Sequence, residues 1–282
     1  ESKTIIEIAK TIGMDCRVSK QGWGANLNDE DPANFENLKP ETKVLIIVEI
    51  PGPLKERKMA EELKVEIIPI DHHEYFNPDL DRRNEKSSLE QFADLVGYEL
   101  NREQKLIAQN DRGYIWAMIE ESDATLEEIQ EIRNADLKQQ GLMDEEGKID
   151  NKIKKQSEED IDRGIQFRDF FLVATKLDKI SYLMDCFQIP PKLADDIEAF
   201  RKYGKKIPRR NIVVIRTSVD GDKVLGLNFS GEWRFRDILK KATEIEACSG
   251  EHYIWWQGGL AEKNYFWGLS ARNEGTAIDD KI

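Results

Sequence analysis

The sequence predicts a mixed α/β protein: a parallel sheet with helices on both faces in the first half, and a smaller α/β domain in the second. Three observations predict it. Val44-Leu45-Ile46-Ile47-Val48 and Val65–Ile70 are mainly apolar, β-branched runs, the pattern of strands covered on both sides. They alternate with segments of helical period, as right-handed βαβ connections require. The alternation restarts near Phe170, after a heavily charged stretch.

Each element follows from local chemistry. Ile5, Ile6, Ala9 and Ile12 recur at helical spacing over residues 2–12, with Ser2 placed as a cap and Gly13 as a stop. A short strand is expected at Cys16–Val18. Residues 22–40 are rich in Asn, Asp, Gly and Pro and predict a loop. The Val44–Val48 strand ends at Pro51-Gly52-Pro53, a helix follows over Leu54–Leu63, and the second strand, Val65–Ile70, runs into Asp71-His72-His73. Helices are expected over Ser87–Leu95 and Arg102–Asn110. Residues 125–165 are charged and helical in pattern, broken at Asp144-Glu145-Glu146-Gly147. Beyond them lie strand Phe170–Ala174, helix Ile180–Phe187, strands Ile212–Thr217 and Val224–Phe229, helix Phe235–Ile245, and strands Tyr253–Trp256 and Tyr265–Leu269 about Gly258-Gly259. The expected organisation is a first domain over 1–130, a helical connector over 131–165, and a second domain over 166–282.

Composition narrows the function. No apolar run approaches the roughly 20 residues of a membrane helix, and no membrane partner is expected. Cys16, Cys186 and Cys248 are odd in number and in no metal-binding spacing. They read as reduced thiols, and with no basic-apolar signal segment opening the chain the expected location is cytoplasmic. A net charge of −13 argues against coating long duplex nucleic acid. Small anions remain compatible, because a bound metal ion is itself the largest local charge.

Two of the three histidines, His72 and His73, follow an acid at the carboxyl end of a strand, where open parallel sheets collect ligands. Imidazole plus carboxylates makes a mixed nitrogen and oxygen site, suited to Mn²⁺, Zn²⁺ or Fe²⁺ better than Ca²⁺; a surface turn is the bland alternative for such a triplet. The polar run Asn26, Asn28, Asp29 and Asp31 reads as solvated loop, and Arg82-Arg83 as a surface pair. Trp255, Trp256 and Trp267 read as strand packing residues before base-stacking ones.

Over residues 40–120 these features fall in an order that resembles the DHH phosphoesterase superfamily, which includes RecJ-type nucleases, nanoRNA and cyclic-dinucleotide phosphodiesterases, and family II pyrophosphatases. Strand Val44–Val48 leads to the acid Glu49, the next strand to Asp71-His72-His73, then Ser87-Ser88-Leu89-Glu90 opens a helix and Asn110-Asp111-Arg112-Gly113 follows one. The resemblance implies Glu49, His72 and Asp111 as metal ligands and His73 and Asp71 as catalytic groups, with Asp71 orienting the histidines; Arg112, next to a proposed ligand, is the expected phosphate partner through its guanidinium fork. Ser249-Gly250-Glu251-His252 with Gly258-Gly259 resembles the glycine-rich substrate loop of the domain that often follows, which implies Gly250 and His252 in substrate binding. The implied cofactor is a divalent ion, Mn²⁺ first, with Mg²⁺, Zn²⁺ or Fe²⁺ as alternatives.

Two departures divide the functional reading. No histidine precedes His72, so the family's opening motif lies upstream of Glu1 or is missing, and Glu49 stands where the family carries aspartate. One reading is a metal-dependent phosphodiesterase or phosphatase for a small phosphorylated substrate or a short single-stranded oligonucleotide. The other is a catalytically silent DHH-like protein that binds a nucleotide or a partner. A homodimer is compatible with either.

Overall fold

The computed structural model describes residues 1–21, 25–36, 38–73, 82–207, 209–221 and 223–235, together with the backbone of strands 253–258 and 264–271. The chain is mixed α/β, with eight α-helices and two sheets among the described residues. It divides into two compact units, residues 1–112 with 256–258, and residues 113–255 with 259–282. None of the described helices is long and apolar enough to cross a membrane.

The first unit is built on two parallel strands, β1 (Val44–Val48) and β2 (Glu66–Ile70), in the register Val44↔Glu66 to Val48↔Ile70. Their side chains alternate between two cores, as a period of two demands. Ile46 and Val48 pack with Ile5, Ile8, Leu89, Phe92 and Ile70, residues of α1 (Ser2–Thr11), α3 (Ser88–Val96) and β2 itself. Leu45 and Ile47 pack on the other side with Leu27 and Met59, the latter from α2 (Pro53–Leu63). The pair of strands is therefore covered on both faces.

Helix ends follow their sequence signals closely. Ser87 caps α3, accepting from the Glu90 amide, while Glu90 accepts from the Ser87 amide, a complete capping box. Thr125 and Glu128 repeat the device at α5 (Leu126–Gln139). Glu1 rather than Ser2 stands at the cap of α1, without a side-chain cap bond. The strand expected at Cys16–Val18 is absent. The Arg17 guanidinium instead donates to the carbonyls of Ala33, Asn34 and Glu36, holding this segment to a loop through a side chain. That loop carries two 3-10 turns, Leu27–Asp29 and Pro32–Asn34, capped by Asn26 and Asp31, so these polar residues do the backbone work their types predict. Arg82 pairs with Glu56 at 2.7 Å.

In the helix α4 (Arg102–Glu121), Tyr114 is non-helical, with φ 57° and ψ −153°. The second unit begins one residue before it. Here the connector pattern becomes α5 and α6 (Asn151–Arg163), then β3 (Ile165–Phe167), β4 (Phe170–Thr175), α7 (Ser181–Gln188), α8 (Leu193–Tyr203), β5 (Asn211–Thr217), β6 (Val224–Glu232), β7 (Tyr253–Gly258) and β8 (Asn264–Ala271). The sheet order is β3-β4-β5-β6-β8-β7. β4 and β5 are parallel; β3–β4, β5–β6 and β6–β8 are antiparallel. With six strands against two, it is the larger sheet. The helix expected over Phe235–Ile245 lies outside the described residues beyond the 3-10 turn Trp233–Phe235.

A buried ion pair ties the helices of this unit. Arg133 of α5 donates to Asp185 of α7 at 3.0 Å, with side chains 7% and 9% exposed. The Tyr114 hydroxyl also donates to Asp185, and the Arg133 guanidinium lies 4.6 Å from the Tyr114 ring centroid. Removing Asp185 leaves the buried Arg133 guanidinium with only the more exposed Asp136, 2.7 Å away, as counter-charge, and breaking a buried pair costs about 3–5 kcal/mol. Asp185→Ala is therefore expected to lower unfolding free energy by about that amount in urea denaturation, and Tyr114→Phe by about 1 kcal/mol. A loss below about 1 kcal/mol in Asp185→Ala would show that the pair does not hold these helices.

Candidate metal centre

The site forms where β1 and β2 end. The Glu49 amide donates to the Ile70 carbonyl at 2.8 Å, extending the ladder by one bond. The chain then turns sharply: Glu49 has φ 56°, a left-handed conformation that L side chains rarely adopt. Such strain of roughly 1–3 kcal/mol persists where the surroundings over-determine it, and it gathers at functional sites.

After β2, one carboxylate organises both histidines. Asp71 Oδ1 accepts from the amides of His72 at 2.8 Å and His73 at 3.0 Å, and lies 2.8 Å from His73 Nδ1. Asp71 is 4% exposed, and Gln91 Nε2 of α3 donates to its carbonyl at 2.9 Å. The turn is thus fixed from its own side chain and from the neighbouring helix. The two imidazoles lie with ring centroids 4.3 Å apart.

Helix α3 then sets the state of His72. Ser88 donates its hydroxyl hydrogen to Glu49 Oε1 at 2.8 Å. The same Ser88 oxygen lies 3.4 Å from His72 Nδ1. The assignment that satisfies both puts the hydrogen of neutral His72 on Nδ1 and the lone pair on Nε2. That nitrogen lies 3.2 Å from Asp111 Oδ2 of α4. Neither His72 Nε2 nor Asp111 Oδ2 has a hydrogen-bond partner, although both atoms are buried. Two donors on one ion, each at roughly 2.0–2.2 Å, sit about 3 Å apart when they subtend a right angle. The orphaned pair has that spacing.

The donor set is wider than two. Donor atoms of Glu1, Glu49, His72 and Asp111 all lie within 4.8 Å of one another, and so do those of Glu49, His72 and His73. This group of buried and partly buried side chains can hold a metal ion. Its nitrogen and oxygen chemistry fits a first-row divalent ion better than Ca²⁺. Glu1 is the member with no sequence signal: an acid ahead of a helix is ordinary, and only the packing of α1 beside α3 brings its carboxylate to the Leu89 amide and to Asp111. Ser88 is the other residue whose part emerges only from the geometry.

Charge balance points the same way. Burial, then the Glu1 charge, raises Glu49 to about 7. Burial, joined by the Glu49 charge, raises Asp111 to about 6, and burial and Asp111 raise Glu1 well above the usual carboxylate range. Burial and the His73 charge lower His72 to about 3, keeping it neutral. Burial disfavours the charged form of His73, yet the Asp71 hydrogen bond and the Glu49, Asp71 and Asp111 carboxylates outweigh it and raise the imidazole to about 9. Three crowded carboxylates beside a neutral imidazole form an acidic site that a cation relieves.

The remaining expected residues fall elsewhere. Arg112 directs its Nε to Glu90 at 3.0 Å, so its guanidinium is engaged with the carboxylate that closes the α3 capping box. Gly250 and His252 lie outside the described residues, as do the side chains of Trp255, Trp256 and Trp267. Comparison with known proteins finds no matching family model and no matching curated protein.

A metal-free protein should reveal these charges by titration. Above pH 6.5 the folded state keeps the His73 proton, up to about pH 9, and the Glu49 proton, up to about pH 7, while the unfolded chain has released both. More protons on the folded state mean that stability falls as pH rises. In EDTA the melting temperature should therefore fall between pH 6.5 and 9, and less so in His73→Gln. At pH 7.5, free Mn²⁺ at 100 times its Kd should add about 2.7 kcal/mol of stability. A melting temperature indifferent to Mn²⁺, or raised equally in a His72→Ala, Asp111→Asn double variant, would remove the metal centre.

Proposed function

We propose that the chain is a metal-dependent phosphoester hydrolase of the DHH type, acting on a small phosphorylated substrate or a short single-stranded oligonucleotide. The observation that carries this reading is the meeting of Glu49, His72 and Asp111 at the carboxyl ends of two parallel strands, with His72 Nε2 and Asp111 Oδ2 buried and unpartnered. Glu49, His72 and Asp111 would hold the ion, proposed as Mn²⁺, with Glu1 as an added carboxylate donor. When bound, a divalent ion supplies Lewis acidity to water and to a phosphoryl group.

The chain's own residues have distinct parts in this proposal. Ser88 positions two ligands at once, bonding Glu49 and fixing the His72 tautomer. Asp71 engages His73 Nδ1 and holds the cationic imidazole beside the carboxylates of the site, where its charge would favour an approaching phosphoryl group. The acidic surface favours a small substrate over a long duplex, since only a local cationic centre attracts phosphate.

Two observations favour a second reading, a catalytically silent relative that binds a nucleotide or partner. Arg112, the expected phosphate partner, is paired with Glu90, and Glu49 carries one methylene more than the family's aspartate. Incubation with Mn²⁺ and a panel of phosphomonoesters, cyclic dinucleotides and short oligonucleotides separates the two. The hydrolase reading expects turnover that disappears in His72→Ala and falls about 10–100-fold in Ser88→Ala, the usual cost of losing a residue that orients a ligand. Absence of turnover, or turnover equal in His72→Ala, leaves the silent relative.

A further inference from the structure

The second unit contains a recess whose chemistry the metal centre does not use. Its volume is about 460 Å³, within the range of small-molecule sites. Trp116, Pro190, Pro191, Leu193 and Ile207 give it apolar walls, and its polar lining is Gln188, Arg210 and the pair Lys192 and Asp196, whose charges lie 3.9 Å apart. Trp116 and Gln188 are 2% and 0% exposed, yet Trp116 Nε1 and Gln188 Oε1 have no hydrogen-bond partner. Gln188 Nε2 donates to the Arg210 carbonyl at 2.9 Å, which fixes the amide and makes Oε1 the idle acceptor. A buried polar group left without a partner is costly, because it has given up water for nothing in return. Here a donor and an acceptor are both idle in residues that line one recess.

The recess also has a directed charge. The Arg210 guanidinium lies 3.9 Å from the Phe187 ring centroid and donates to the Phe187 carbonyl. Among the described residues no carboxylate acts on it; burial alone lowers its pKa from the ordinary value. Its neighbour Arg209 differs, being paired with Glu120 while lying 5.7 Å from the Trp116 ring centroid, where it braces the indole. With Asp196 met by Lys192, the recess offers an apolar slot, a buried donor and acceptor, and a guanidinium on which no described carboxylate acts, which describes a particular ligand: flat and heteroaromatic, with an acceptor beside a donor on one edge, and an anionic group.

We infer that this recess is a binding site for a nucleoside monophosphate. The base lies against Trp116, Pro191 and Leu193 and offers its acceptor and donor to Trp116 Nε1 and Gln188 Oε1, while the phosphate pairs with Arg210. The site goes beyond the hydrolase reading and stands or falls separately from it.

The test is calorimetric titration of the full chain with AMP, adenosine and inorganic phosphate, all in EDTA so that metal-held phosphate makes no contribution. AMP should bind saturably, adenosine at least tenfold more weakly, and inorganic phosphate not at all. Gln188→Leu and Trp116→Phe should each weaken AMP at least tenfold, and Arg210→Gln should erase the difference between AMP and adenosine. The comparison of AMP with adenosine reads the Arg210 charge in the unaltered protein, so the test survives a variant that fails to fold. No saturable AMP binding up to about 1 mM, a Kd corresponding to only about −4 kcal/mol, overturns the site. So does AMP binding no tighter than adenosine, or AMP binding unchanged in a folded Gln188→Leu protein.

Discussion

The parallel pairing of β1 with β2 places everything of consequence in the first unit. Each strand has five residues, and the last pair, Val48↔Ile70, puts Glu49 alongside the start of Asp71-His72-His73. Because side chains alternate, a slip of one residue would turn Ile46 and Val48 away from the core they share with Leu89 and Phe92. The same slip would carry Glu49 away from Ser88 and His72. Two strands this short are marginal by themselves, so the register is enforced by the packing of α1 and α3 on one side and α2 on the other. The geometry of the candidate site is thereby a by-product of hydrophobic alternation.

Electrostatics works against that packing. Glu1, Glu49 and Asp111 bring three carboxylates to one partly buried place, and each is pushed toward protonation. Asp71 spends its charge on the two backbone amides and on His73, and Arg112 is turned to Glu90, so the nearest compensation is committed to holding shape. A sequence selected for folding alone resolves such conflicts; locally inconsistent groups are expected where function sets the terms. The ion pair of Arg133 with Asp185 is the contrast, a buried charge met within the second unit by an opposite charge and a tyrosine hydroxyl.

The legible parts of the fold are those that depend on near neighbours. β1 and β2 are announced by apolar runs, and α3 by the Ser87–Glu90 capping box. Asp71-His72-His73 and Glu49 are legible as strand-end residues, whereas Asp111, expected after a helix ending at Asn110, lies within α4, which continues to Glu121 past its break at Tyr114. What the sequence hides is long-range. The approach of Glu1 to Asp111 depends on how α1 packs against α3. That β5 takes one parallel neighbour, β4, and one antiparallel neighbour, β6, depends on turns and sheet order rather than on hydrophobic period. The segment at Cys16–Val18 has the composition of a strand, but Arg17 finds its partners in the carbonyls of a loop 16–19 residues away. Periodicity carries no information about such a bond. α8 and β3 escape for a simpler reason: a charged helix and a three-residue edge strand give weak patterns.

Glu49 shows what the site asks of the chain. Its left-handed backbone suits glycine, or asparagine, better than glutamate. Glycine there would relieve roughly 1–2 kcal/mol of conformational strain and, in the same step, remove a carboxylate that is costly to bury. If the proposed metal centre is right, position 49 is a point of stability–function trade-off, where the residue best for folding is the one that deletes a metal donor. A search of random variants for heat resistance alone would drift toward glycine at this position and return a sturdier protein with an impaired centre. Under the proposed function, selection for activity would hold the glutamate, and the strain with it.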